Sequence, residues 1–435
     1  LENLPGSFAL NNCMSSKRVI KQMLLGFVVL CCAFGYSISS AKSSLSSTEL
    51  EVMTESVLLN ILNANWSDAH ATAEQLVAEF PDYALGHLLL AETFNQSAMQ
   101  APLFNQVKDY SPELIALLLE ARDRAHQSMT NSSLEQQNKT YIPDMLVQVG
   151  AHINHVLVID VESSELFLYD TTGALPKLVR QHYISSGKGG FGKLSEGDLK
   201  TPLGVYNIIG RRSDESLPDL YGSGALILDY PNTLDRSLGR TGSGIWLHGI
   251  PTADRSRSPR SSEGCVTMAN DLLFHLYEQL NLNNTHVVLS DNFNWSSEQE
   301  NQYARERFQL LFNRYIDAWR SANISALNAL YTPDSVPATV RYNNPAVAKR
   351  VSINNQSPHQ HLAPAGLNLT DLASVSSESI SIIKNPDVHD ATGLEHLVMS
   401  FDIQGKNPAR VTLYWSKTAS SDWQIKREVV EASGA

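Results

Sequence analysis

The hydrophobic period of this chain changes near residue 146, and that change bounds the possible fold more tightly than anything else in it. Upstream, apolar residues recur three or four apart. Ala69, Ala73, Leu76, Val77 and Phe80 form one such stripe, which Pro81 ends. Two further runs, "YALGHLLLAETF" and "PELIALLLEARDRAH", have the same spacing. Downstream, "HVLVIDVESSELFLYD" alternates and turns near Glu162–Ser164, which predicts a β-hairpin. Short strands are predicted at "LVRQHYISSG", "GVYNIIGRR", "ALILDY", "GIWLHGI" and "THVVLSD", with one helix at "NDLLFHLYEQL". Residues 302–331 return to helical spacing, and the tail reads as strands: "HLVMSFDIQ", "RVTLYWSK" and "WQIKREVV". The expected fold class is therefore multidomain α+β. It comprises a helical module over 48–130, a mostly-β domain over 146–291 and an α+β domain over 301–435. Polar linkers are expected at 130–140 and at "NFNWSSEQENQ".

Residues 1–41 have a different character. Lys17, Arg18 and Lys21 precede an apolar run, Met23 to Phe34, and small and polar residues follow. That order is the order of a secretory signal peptide, with cleavage expected after Ala41 and residues 1–13 standing upstream of Met14. An uncleaved anchor is the alternative, although the run is short for a span of about 20 residues. The expected compartment is the periplasm. A net charge of −12 argues against nucleic acid as a partner.

Four cysteines occur: Cys13, Cys31, Cys32 and Cys265. Cleavage would leave Cys265 alone. Exported proteins use cysteines mostly in pairs, so a single thiol is a buried inert residue, an intermolecular link or a reactive group. A free thiol is only a few per cent ionised at neutral pH, and a neighbouring imidazole can take its proton. His248 ends the apolar strand "GIWL", and Cys265 stands just before the helix at Asn270. A strand end and a helix start joined by one loop can meet in space. Gly264 lets the backbone approach a substrate, and N–H groups in such a turn can hold an oxyanion. The pair therefore has the parts for acyl transfer through a thioester.

"HGI…SSEGCVTM" resembles the signature of the L,D-transpeptidase catalytic domain, the YkuD family. His248, Gly249, Ser262, Gly264, Cys265 and Val266 match it, and "EGDLKTPLGVYNI" is similar to a second family segment. There are two departures. Glu263 stands where the family usually has His, and Thr267 where it usually has Arg. The resemblance implies that Cys265 is the nucleophile and His248 the general base and acid. It further implies that a carbonyl near Gly249 orients His248 and that Gly264 lies in the oxyanion region. The substrate would be a peptidoglycan stem peptide, and no metal or organic cofactor is implied. The acceptor would be an amine, giving a cross-link or an attached protein. Alternatives are an L,D-carboxypeptidase or amidase acting on the same bond, and a non-catalytic peptidoglycan-binding scaffold.

Arg255, Arg257 and Arg260 lie in the loop between His248 and Cys265, with Arg236 and Arg240 shortly before. Arginine binds carboxylates bidentately, and stem peptides carry them. Arg260, Ser262 and Glu263 are the candidate substrate contacts. "GKGGFGKL" has the beginning of a phosphate-binding loop but lacks the following Ser or Thr and the helix, so a mobile loop beside the cleft is expected instead. His152 and His155 should face opposite sides of a strand, which argues against a metal pair. The helical module resembles one tetratricopeptide-like helix pair, and the C-terminal segment resembles the NTF2-like fold. The helices read as an interaction module and the C-terminal segment as an accessory recognition or dimerisation module, either of which would serve other envelope proteins, and the oligomeric state is left open.

Overall fold

The computed structural model describes residues 47–97, 111–136, 142–213, 217–321, 323–342, 372, 374–386, 394–404, 408–417 and 422–432. The apolar run expected to be a signal peptide, and Cys13, Cys31 and Cys32, lie outside these residues. Four helices open the described chain: α1 (Ser47–Leu62), α2 (Trp66–Glu79), α3 (Ala84–Ser97) and α4 (Pro112–Gln136). Ala69, Ala73 and Leu76 of α2 are fully buried, as their spacing requires. Phe80 closes α2, its N–H bonding Leu76 O, because Pro81 cannot continue the ladder. Helix α4 runs to Gln136, so the polar stretch expected to be a linker from 130 is in part helical.

The middle of the chain forms an eight-stranded sheet. Its strands are β3 (His155–Asp160), β4 (Glu165–Asp170), β5 (Lys177–Tyr183), β6 (Gly204–Ser213), β7 (Gly224–Leu228), β8 (Trp246–His248), β9 (Val266–Thr267) and β10 (Thr285–Ser290). Their order is β5-β4-β3-β10-β6-β7-β8-β9. A short helix α5 (Thr233–Ser237) follows β7, and α6 (Asn270–Gln279) follows β9. The expected hairpin is β3–β4, paired from His155↔Asp170 to Asp160↔Glu165. Its run of apolar residues has a physical cause: both faces are covered. Leu157 and Ile159 point into a core with Leu272, Leu273 and Leu276 of α6. Val156 and Val158 point into another, shared with the C-terminal sheet through Ile383, Val398 and Val429.

That second sheet contains β2 (Leu146–Gln148), β12 (Tyr331–Tyr342), β13 (Ser381–Asn385), β14 (His396–Ile403), β15 (Ala409–Lys417) and β16 (Trp423–Ala432), in the order β12-β16-β15-β14-β13-β2. The long helix α7 (Glu298–Arg320) and the short α8 (Ile324–Ala329) precede it. Phe308, Phe312, Tyr315 and Trp319 of α7 share a core with Met399, Phe401 and Trp415. Two expected boundaries move. Strand β2 belongs to the C-terminal sheet, so the seam falls after residue 148 rather than at 146. The expected linker at 292–302 contains β11 (Trp295–Ser296), paired with β1 (Ile142–Pro143), and the first turn of α7. Ser297 and Glu300 form a capping box there, satisfying the first N–H groups of α7. Among the described residues, no helix is long and apolar enough to cross a membrane.

Candidate active site

Strands β8 and β9 run parallel, with Leu247 opposite Val266 and His248 opposite Thr267. Cys265 leads directly into β9. The register therefore sets Cys265 one strand across from His248, about 4.8 Å laterally, and two residues along. Both ends of the Arg-rich loop thus return to one edge of the sheet, bringing the expected nucleophile and base together.

The imidazole is held in one tautomer. Its Nδ1 lies 2.7 Å from the Gly249 carbonyl oxygen, which can only accept, so Nδ1 carries the proton and Nε2 presents a lone pair. Tyr221 packs edge-on to the ring, with centroids 4.9 Å apart. His248 is 4 % exposed. Burial pulls its pKa from 6.5 down to about 4, the Gly249 carbonyl partly opposes this, and the charge of Arg257 adds to it. Burial acts the other way on Cys265 and raises the thiol above its ordinary value. A backbone hydrogen bond from Trp246 and the Lys193 ammonium pull it back, and Glu263 pushes it further up. The thiol donates to Gly244 O at 3.4 Å. At neutral pH both groups therefore rest uncharged, an imidazole and a thiol on neighbouring segments rather than a preformed ion pair.

The turn leading to Cys265 is built tightly. Gly264 has φ +122°, and a Cβ there would meet Lys200 O at 2.8 Å. Ser262 Oγ accepts from Gly264 N–H at 3.1 Å and donates to Cys265 O at 2.5 Å. Ser262 is buried, so the residue expected to touch substrate instead braces the turn. Glu263 is exposed beside the thiol, with Lys188 Nζ at 3.1 Å. The Gly-rich loop that reads as mobile is cross-braced. The buried Lys193 ammonium bonds Asp198 at 2.6 Å, and Asp198 also accepts from the N–H groups of Leu194, Ser195 and Lys200. Those donors, the Lys193 bond first among the lowering influences, hold the Asp198 carboxyl at about 2. The loop packs on the turn leading to Cys265, since a Cβ on Gly187 would meet Gly264 Cα at 3.1 Å.

Sequence reasoning missed Asn270. Its Oδ1 accepts from Ser223 N–H at 2.9 Å and Ile250 N–H at 3.2 Å, and its Nδ2 donates to Ile250 O at 2.8 Å. This amide ties the segment after His248 to the segment after Tyr221. A Cβ on Gly249 would strike its Oδ1 at 2.1 Å, which explains the glycine there. The only signal in the sequence was an Asn at a helix start, a position that many unrelated helices share.

The arginines separate. Arg240 is buried on Asp235 at 2.9 Å, and Arg236 bonds Pro231 O, so neither serves the cleft. Arg255 pairs with Asp82 of the helical module at 2.9 Å. Arg260, expected to bind substrate, pairs with Glu162 at 2.6 Å and lies over the Phe191 ring. His152 Nε2 lies 3.1 Å from Ser400 Oγ on β14.

Among curated proteins none matches the sequence. Solved structures similar to the chain include Bd1075 of Bdellovibrio bacteriovorus, 22 % identical, spanning 68 % of this chain and 99 % of its own, with a TM-score of 0.48. Another is the helical cell shape determining protein Pgp2 of Campylobacter jejuni, 19 % identical, spanning 67 % of this chain and 95 % of its own, with a TM-score of 0.46. The family model of the L,D-transpeptidase catalytic domain, YkuD, matches residues 154–289, the segment that carries His248, Cys265 and the sheet that positions them, and this segment is a YkuD-type L,D-transpeptidase catalytic domain.

Proposed function

We propose that the protein is a cysteine acyltransferase acting on peptidoglycan stem peptides. One observation carries the reading: an imidazole with its Nε2 lone pair free stands on the strand beside the one that Cys265 leads into. Cys265 Sγ attacks the carbonyl carbon after the third stem residue as His248 Nε2 takes the thiol proton. The Gly264 N–H is taken by Ser262 Oγ, so the backbone N–H of Cys265 is the donor this turn offers to the oxyanion. His248 then returns that proton to the departing amine of the terminal D-alanine, leaving a thioester. An acceptor amine attacks the thioester, its proton passes to His248, and the thiol is restored. The product is a cross-link or an attached protein. With water as acceptor, the same steps give an L,D-carboxypeptidase.

Neutral resting groups suit this order of events. The base is free to accept, and the thiol ionises only as the new bond forms, so His248 is a general base in the transition state. The apolar leader supports export to the periplasm. The helical and C-terminal units act as accessory modules for envelope partners, the latter with the helix-then-sheet order of an NTF2-like domain.

The test is mass spectrometry of muropeptides incubated with the wild-type protein and with Cys265→Ala. Loss of terminal D-alanine with gain of an amine supports transfer, and loss without gain supports hydrolysis. Unchanged muropeptides, together with no carbapenem adduct on the wild type, would leave only a scaffold.

A further inference from the structure

We propose that Arg257 anchors a carboxylate of the acyl donor, filling from the connecting loop the place that the family motif gives to an arginine at position 267. The inference rests on the acyl-transfer reading above and goes beyond it by naming the specificity group. Three structural observations support it.

First, Thr267 leaves a gap. It sits opposite His248 and is 1 % exposed, and its Oγ1 has no hydrogen-bond partner among the described residues. A buried hydroxyl in that condition marks a place built for polar contact. Second, Arg257 reaches the same place. Arg257 and Thr267 line one small, partly open space of about 20 Å³, room for about one water, together with Glu51, Arg124, Ser185 and Ile250. Arg257 also lines a cleft of about 350 Å³ that opens between the helical module and residues 253–261, ending at Ser261. Third, the guanidinium is uncommitted. Arg255 and Arg260 are neutralised by Asp82 and Glu162, whereas Arg257 has no ion-pair partner among the described residues. Its electrostatic influence on His248 is consistent with this location.

The backbone beneath Arg257 is fixed. Tyr183 Oη donates to Arg257 O at 2.9 Å, and Ser185 Oγ donates to Ser258 O at 2.6 Å. Arg124 of α4 stacks on the Tyr183 ring, 4.0 Å from its centroid. The end of β5 thus holds the loop that presents the arginine, and α4 packs on the ring that does so. A partly desolvated guanidinium without a counter-ion, beside the catalytic base, suits a planar carboxylate.

The experiment compares a stem tetrapeptide bearing free carboxyls with the same peptide bearing carboxamides. The substrates are given to wild type, Arg257→Ala and Arg257→Lys, each checked for folding by circular dichroism. The wild type should prefer the acid. Arg257→Ala should raise KM for the acid about tenfold or more, change kcat little, and lose the preference, with Arg257→Lys recovering part of it. If the wild type turns over peptide and Arg257→Ala keeps the full preference, this inference falls and the acyl-transfer reading stands. If the wild type processes neither peptide, the parent reading fails and takes this one with it.

Discussion

The protonation state of the Cys265–His248 pair can be tested directly by thiol alkylation. Burial lowers His248 from 6.5 to about 4, so at pH 7 about one ring in a thousand is protonated. The same displacement corresponds to about 3 kcal/mol against imidazolium in this site. Burial also raises the Cys265 thiol, so both changes disfavour the ion pair. The assay is the rate of carboxamidomethylation of Cys265 by iodoacetamide from about pH 5 to about pH 10, followed by intact-protein mass. The rate should climb about tenfold per pH unit through neutrality and level off only above the ordinary thiol range. His248→Ala should leave that curve almost unmoved while slowing carbapenem acylation by about a hundredfold or more, because only acylation uses the base in its transition state. High, pH-independent alkylation from about pH 5 that disappears in His248→Ala would refute the reasoning, since it requires a standing thiolate–imidazolium pair.

Further predictions concern the frame around that pair. Asn270→Ala removes the acceptor for two N–H groups and should cost about 2 kcal/mol in denaturant titration. Its kcat should fall more than its KM rises, because the segment holding His248 loosens. Gly264→Ala should lower the melting temperature and abolish carbapenem adducts, since φ +122° and the Lys200 carbonyl leave no room for a methyl group. The protein should also be acid-labile. Burial, the largest influence on each, holds His152, His248 and His286 at about 4, 4 and 3 when folded, against 6.5 for a free imidazole. The unfolded chain therefore binds these protons first. Stability should be full above about pH 6.5 and decline as pH falls through 4 towards 3. A melting temperature that stays flat from pH 7 to pH 3.5 would contradict the burial of these three neutral imidazoles.

What could be read from the sequence was what lies close along the chain. The 3.6-residue stripes of α2 and the alternation of β3–β4 follow from local periodicity, and the match of "HGI…SSEGCVTM" depends on spacing within one loop. The errors came from long-range pairing. Leu146–Gln148 reads as the start of the catalytic domain, but its partner is Ile382–Ile383, more than 230 positions away. Trp295 lies in a polar stretch that reads as linker, yet its ring packs at 5.6 Å on Phe167. The arginine cluster shows the same limit. Five guanidinium groups look alike in a sequence, and only Asp235, Asp82 and Glu162, none of them adjacent to its partner, show which are already neutralised.

The two departures from the family signature bear on different parts of the chemistry. Glu263 is exposed, and its pair with Lys188 adds little to stability in water. Its effect is on the thiol, where it adds to the burial that keeps Cys265 protonated. Lys193 opposes it from a fixed, buried position set by Asp198. Cys265 thus stands between a surface anion and an internal cation. Thr267 acts instead on space. Opposite His248 it leaves a buried hydroxyl without a partner among the described residues, in a small space that it lines together with Arg257, whose carbonyl accepts from Tyr183 Oη on β5. If Arg257 anchors the donor carboxylate, the charge absent from the strand comes from the loop, and α4, whose Arg124 stacks on Tyr183, bears on specificity through that ring.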